Sequence, residues 1–224
     1  MGSEIIFILA VTAMFGIVQA APPDGTTIAL LNYREKCINV SGSDEGFYQL
    51  FGSIKYAQTC LLDHMEEAYQ QGVPEIDEYY ETKNDFFANF RLKLNAAVDC
   101  FNDVFEGAAK CSTEAYDKLV PILKNVMYGL VELICRNGGE LFYDIQTPEF
   151  RTCFKLIKKN AFQCRTSEAI RTITYSAFSL EQCREVTDSR NCFKGICSVS
   201  AVHDLIDNVY DTLLDATKCQ KEIY

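Results

Sequence analysis

The sequence predicts an all-α fold, a disulfide-stapled bundle of about seven or eight helices. Three observations predict it. Apolar residues recur every three or four positions along most of the chain, the spacing that gathers them on one face of a helix. No stretch alternates apolar and polar residues between hairpin turns, as a half-buried strand would. Eleven cysteines, from Cys37 to Cys219, supply material for staples.

The elements follow in chain order. After Ser43, the run DEGFYQLFGSIKYAQTCLLDHMEEAYQQ sets Phe47, Leu50, Phe51, Ile54, Leu61 and Met65 on one side, and Gly72 and Pro74 close it. A second long pattern covers Glu75 to Glu106 and carries Phe86, Phe87, Phe90, Leu94, Val98 and Phe101. A third follows Ser112 and ends at Cys135, with Pro121 expected to kink it. Gly138-Gly139 break the chain. Thr147-Pro148-Glu149 then opens a helix with a capping hydroxyl, a proline at the first position and an acid in the first turn. Ser179-Leu180-Glu181-Gln182 has the spacing of a capping box. The last helix is expected from Val199 to Lys218, with Val202, Leu205, Ile206, Val209, Leu213 and Leu214 on its inner side.

The first twenty residues, MGSEIIFILAVTAMFGIVQA, read as a signal peptide. Ile5 to Val18 is mostly apolar and shorter than a membrane span, and Val18 and Ala20 are small residues at the −3 and −1 positions of a cleavage site. Residues 21–224 are then one secreted helical domain. Behind such a leader, cysteines without a C-x2-C zinc spacing read as a disulfide framework. Asn39-Val40-Ser41 is an N-glycosylation sequon, expected beside a turn. The chain carries 31 acidic and 21 basic residues, net −10. That balance favours solubility and argues against nucleic acid or an anionic membrane surface as a partner.

The cysteine spacings also suggest an internal repeat. Cys100, Cys111 and Cys135 are spaced much like Cys192, Cys197 and Cys219, and Cys183 stands ahead of Cys192 as Arg91 stands ahead of Cys100. The surroundings of Cys37 likewise resemble those of Cys135: a cysteine, a glycine-rich turn, an acid and an apolar helix. Together these divide the chain into 37–134 and 135–219.

No catalytic constellation emerges. His64 and His203 each lack a second histidine at i+4, so there is no zinc-protease pair, and no G-x-S-x-G nucleophile turn occurs. Glu66-Glu67 and Asp77-Glu78 are adjacent carboxylates, which do not face each other on a helix. There is no phosphate loop or dinucleotide fingerprint, so no cofactor or metal is expected. The aromatic content, 15 Phe and 12 Tyr without Trp, invites a pocket for a small apolar ligand. Phe86, Phe87, Phe90, Val126, Met127 and Leu130 are its candidate lining.

Several stretches carry a family resemblance: YREKCINVSGSDEGF with YAQTCL, then CFNDVFEGAAKC, LVELICRNGGELF, PEFRTCFKLIKKNAFQC, LEQCREVTDSRNC and DNVYDTLLDATKC. In their order and cysteine spacing, from Tyr33 to Cys219, they resemble the insect 27 kDa hemolymph glycoprotein family. The resemblance implies a secreted, helical, disulfide-rich protein of a body fluid, and it transfers no catalytic residue. Two departures stand out. Arg91 occupies a position at which the family has a further cysteine, and the interval from Cys192 to Cys197 is shorter. The odd cysteine count then leaves one free or intermolecular thiol.

The repeat suggests the pairs 37–60, 100–111, 135–153, 192–197 and 183–219, with Cys164 as the free thiol. Two cysteines eleven apart on one helix are about 16 Å apart, too far to bond, so 100–111 needs a turn near Gly107. The framework is thus expected to use Cys37, Cys60, Cys100, Cys111, Cys135, Cys153, Cys183, Cys192, Cys197 and Cys219. The function expected is non-enzymatic carriage of a small apolar ligand; the alternative is a bulk serum or nutritive protein without a specific ligand.

Overall fold

A computed structural model of the chain describes residues 26–70, 72–112, 116–164 and 178–219. The expected leader, residues 1–20, lies outside these. The described residues are helical with no strand among them, as the apolar spacing requires. Nine α-helices are present among them: α1 Thr26–Ser41, α2 Glu45–Tyr69, α3 Tyr80–Ala97, α4 Asn102–Lys110, α5 Tyr116–Cys135, α6 Glu140–Asp144, α7 Pro148–Asn160, α8 Leu180–Gly195 and α9 Ser200–Ala216. Short 3-10 turns join α3 to α4 (Val98–Phe101), follow α5 (Arg136–Gly138) and extend α7 (Ala161–Cys164).

The expected starts hold where a cap fixes them. Phe150 N donates to Thr147 Oγ1 at 3.2 Å ahead of α7. At α8, Gln182 N donates to Ser179 Oγ at 3.3 Å while Ser179 N donates to Gln182 Oε1 at 2.8 Å, a complete capping box. Pro121 lies inside α5. The long 75–106 pattern resolves differently: residues 72–79 are a loop, and α3 gives way to a 3-10 turn before α4. Helix α1 shows no apolar stripe of helical period, so its sequence pattern does not predict it. Asn39 is exposed in the last turn of that helix, beside the bend at residues 42–44, as expected.

The main core gathers residues of α1 to α7 with the start of α9, and Phe87, Phe90, Phe101, Phe105 and Phe150 are its largest sealed side chains. Phe178, Cys183, Val186, Leu213, Leu214 and Cys219 form a second, smaller cluster between α8 and α9. Ion pairs lace that second pair of helices. Asp207 accepts from Arg190 Nε at 2.7 Å and from Lys194 Nζ at 2.8 Å. Burial pushes its carboxyl up, yet the two cations outweigh this and hold it below the usual carboxylate range.

Helices α2 and α4 approach each other closely. Gly107 is not a turn but a position inside α4 where the missing side chain lets the helices meet: a Cβ there would lie 2.4 Å from Leu50 N and 2.7 Å from Leu50 Cα. This is why Cys100 and Cys111 do not bond to each other. An intact helix stands between them.

Candidate functional site

Five bridges form: Cys37–Cys111, Cys60–Cys100, Cys153–Cys197, Cys164–Cys192 and Cys183–Cys219. Of the pairs expected from the sequence, 183–219 is the one that forms. Cys164 is not the free thiol; it is bonded to Cys192, and the free cysteine is Cys135. The error has a physical origin. Four of the five expected pairs join cysteines that neighbour each other in sequence, whereas the bridges link separate elements packed side by side. Five bridges are consistent with an oxidising, extracellular setting.

Cys135 ends α5, half-buried. Burial, reinforced by the negative charge of Glu132, pushes its thiol up to about 12, against a smaller opposing effect of Arg91. A thiol held neutral at physiological pH is a poor nucleophile. We expect Cys135 to resist iodoacetamide at pH 7.5 in the native protein and to alkylate fully in 6 M guanidinium. Rapid native labelling, followed by mass spectrometry, would show that its environment is open.

Of the candidate pocket residues, Phe86, Phe87 and Phe90 are core. Phe86 packs on Phe87 at 5.1 Å and on Phe90 at 5.6 Å, and these two pack with Phe142 and Tyr143 of α6: Phe87 to Phe142 at 5.4 Å, Phe87 to Tyr143 at 5.9 Å, Phe90 to Phe142 at 6.0 Å between ring centres. Most of these contacts are edge-to-face, as aromatic quadrupoles prefer. Tyr143 is anchored by donating its hydroxyl to Pro74 O at 2.8 Å. Val126 is buried toward α9, with its carbonyl accepting from Asn208 Nδ2 at 3.0 Å.

Met127 and Leu130 do line a cavity, but with other neighbours: Leu61 of α2, Leu94 and Ala97 of α3, Val98 and Phe101 of the 3-10 turn, and Val131 and Ile134 of α5. Its wall is apolar throughout. The centre of a water-sized sphere can roam about 20 Å³ inside it, room for about one water molecule. Drug-sized ligands need pockets of roughly 300–1,000 Å³. As it stands the cavity is a packing void that only a very small apolar guest could enter.

Among the described residues, neither histidine is hydrogen-bonded to a serine or threonine hydroxyl. His203 Nε2 lies 2.7 Å from Cys197 O and 3.0 Å from Lys194 O, fastening the chain between α8 and α9. Ligand atoms of Cys60, His64 and Cys100 lie within 4.8 Å of one another. The two sulfurs are bonded to each other, and a disulfide is not the thiolate donor that a metal takes. The cluster is therefore a bridge with a histidine beside it.

Among the described residues, no helix is long and apolar enough to cross a membrane. Neither the curated proteins nor the solved structures contain a match to the chain. A family model does match, over residues 27–219, which spans α1 to the last bridged cysteine. The chain belongs to the family described as protein of unknown function DUF1397.

Proposed function

We propose that the protein is a secreted, non-enzymatic glycoprotein of an insect-type body fluid, of the hemolymph glycoprotein class, and that its role rests on persistence in that fluid. The observation that supports this reading is the distribution of the bridges. They fasten α1 to the end of α4, α2 to the turn before α4, α7 to the loop after α8, the end of α7 to α8, and α8 to the end of α9. Each bridge restricts the unfolded chain and slows its exploration of protease-sensitive states. The exposed Asn39 is available for a glycan, and the net charge of −10 favours solubility at high concentration.

A second reading, carriage of a small apolar ligand, draws support from the all-apolar wall of the cavity and from Met127, whose flexible side chain can yield to a guest. The small volume favours the first reading. Native and denaturing mass spectrometry of protein from its own secretion separates them. We expect the same mass in both after amidase treatment, with a loss of one N-glycan on that treatment. A reproducible apolar adduct lost on denaturation would replace the first reading by the second.

A further inference from the structure

The bridges follow one rule twice. In the first part of the chain, the cysteine positions in order are 37, 60, 100, 111 and 135; in the second they are 153, 164, 183, 192, 197 and 219. Cys183 is the third of the second set and has no cysteine counterpart in the first. It lies nine positions ahead of Cys192. Nine positions ahead of Cys100 is Arg91. With Arg91 counted as the third position, both sets have six.

The pairing then coincides. First bonds to fifth, as Cys37–Cys111 and Cys153–Cys197. Second bonds to fourth, as Cys60–Cys100 and Cys164–Cys192. Third bonds to sixth in the second set, as Cys183–Cys219. In the first set the third and sixth positions are Arg91 and Cys135, the free cysteine.

Space agrees with order. Arg91 lies on α3 and Cys135 at the end of α5, two helices packed together, just as Cys183 lies on α8 and Cys219 beyond α9, which also pack together. The Arg91 guanidinium pairs with Glu132 Oε2 at 3.1 Å, and Glu132 is three residues before Cys135, a spacing that puts the two on one helix face. An exposed ion pair covers the place where a bridge would stand.

We infer that the chain is a tandem duplication of a six-cysteine helical unit, 37–135 and 153–219, in which Arg91 occupies a vacated bridge site and Cys135 is the partner it left behind. Cys153, not Cys135, is thus the counterpart of Cys37, and the boundary between the units falls after Cys135. The site joins α3 to α5 next to the apolar cavity, whose wall includes Leu94, one turn beyond Arg91, and Ile134, adjacent to Cys135.

The test is Arg91→Cys in the otherwise natural chain, secreted through an oxidising compartment. We expect a sixth bridge, 91–135, seen as no alkylatable thiol under denaturing conditions, against one in the natural protein. The midpoint of thermal unfolding should rise by about 5–15 °C, and amide exchange should slow in α3 and at the end of α5. A folded variant with two alkylatable thiols would overturn the inference. Disulfide mapping of the natural protein tests it independently of that variant's folding. The first-to-fifth and second-to-fourth bonds must appear in both units, and any other pairing of these eight cysteines overturns the duplication.

Discussion

Replacing Gly107 with valine should destabilise the protein by about 3 kcal/mol, an overpacking cost, and lower its thermal midpoint by about 6–12 °C. A side chain at this position meets backbone, not the movable end of another side chain. Its Cβ would stand 2.4 Å from Leu50 N, 2.7 Å from Leu50 Cα and 2.9 Å from Gly46 O. Gly46 faces it from α2, where a Cβ would come within 2.6 Å of Lys110 Cβ. Relief would require the two helices to separate. Cys37–Cys111 and Cys60–Cys100 hold both ends of α4 to the elements beside it and oppose that movement. Helix propensity works the other way, since valine is a better helix former than glycine by a few tenths of a kcal/mol, too little to offset the overlap. Gly52, also on α2, provides the control: a Cβ there meets nothing within 4 Å. Gly52→Ala should be neutral or stabilising by up to about 1 kcal/mol. Thermal unfolding followed by circular dichroism reads both variants. A Gly107→Val midpoint within a degree of the natural protein would mean that α2 and α4 do not meet this closely.

Gly107 also shows where the sequence could be read and where it could not. The helices were legible because burying one face imposes a period, and because caps such as Ser179 with Gln182 act within four residues. Local signals of that kind survive in a single sequence. A glycine is ambiguous: it suits a turn and it suits a close helix crossing, and only the position of α2 decides between them at residue 107. The pairing of the cysteines was obscure for the same reason. Every bridge joins residues at least 28 positions apart, so the partners depend on which helices pack together. Cys164 and Cys135 exchanged roles on that account.

The Phe86, Phe87 and Phe90 cluster was legible as an aromatic face but not as core or pocket, because its partners Phe142 and Tyr143 lie on α6, after the glycine break. The actual cavity is lined mostly by leucine, valine and alanine at ordinary helical spacing. Nothing distinguishes such residues from those that fill space completely.

Removing the Cys37–Cys111 bridge by double substitution to alanine should cost about 4 kcal/mol, the scale expected for a loop of this length, and lower the midpoint by about 8–16 °C. It closes the longest loop of the five, with 74 positions between its partners. Both sulfurs are sealed: Cys37 is 0% exposed and Cys111 2%. Its loss should be felt first in α1, whose remaining anchors are modest. Tyr33 rests on Phe47 and Phe51, and Arg34 pairs with Asp44 in a partly exposed contact, worth at most about 1 kcal/mol. Limited proteolysis should therefore cut the variant near residues 36–43 before the rest of the chain unfolds, while the natural protein resists. The contrast with position 91 is instructive. There an exposed ion pair stands between α3 and α5, and the surrounding core holds those helices together through Phe90, Leu94, Leu130 and Ile134. Among its described side chains, helix α1 adds only Tyr33 and the bridged Cys37 to that core, so covalent attachment carries more of its stability. If the double variant kept its midpoint within about 2 °C and resisted protease, the bridges would not be what makes the protein durable. The proposal of a body-fluid protein selected for persistence would then lose its main support.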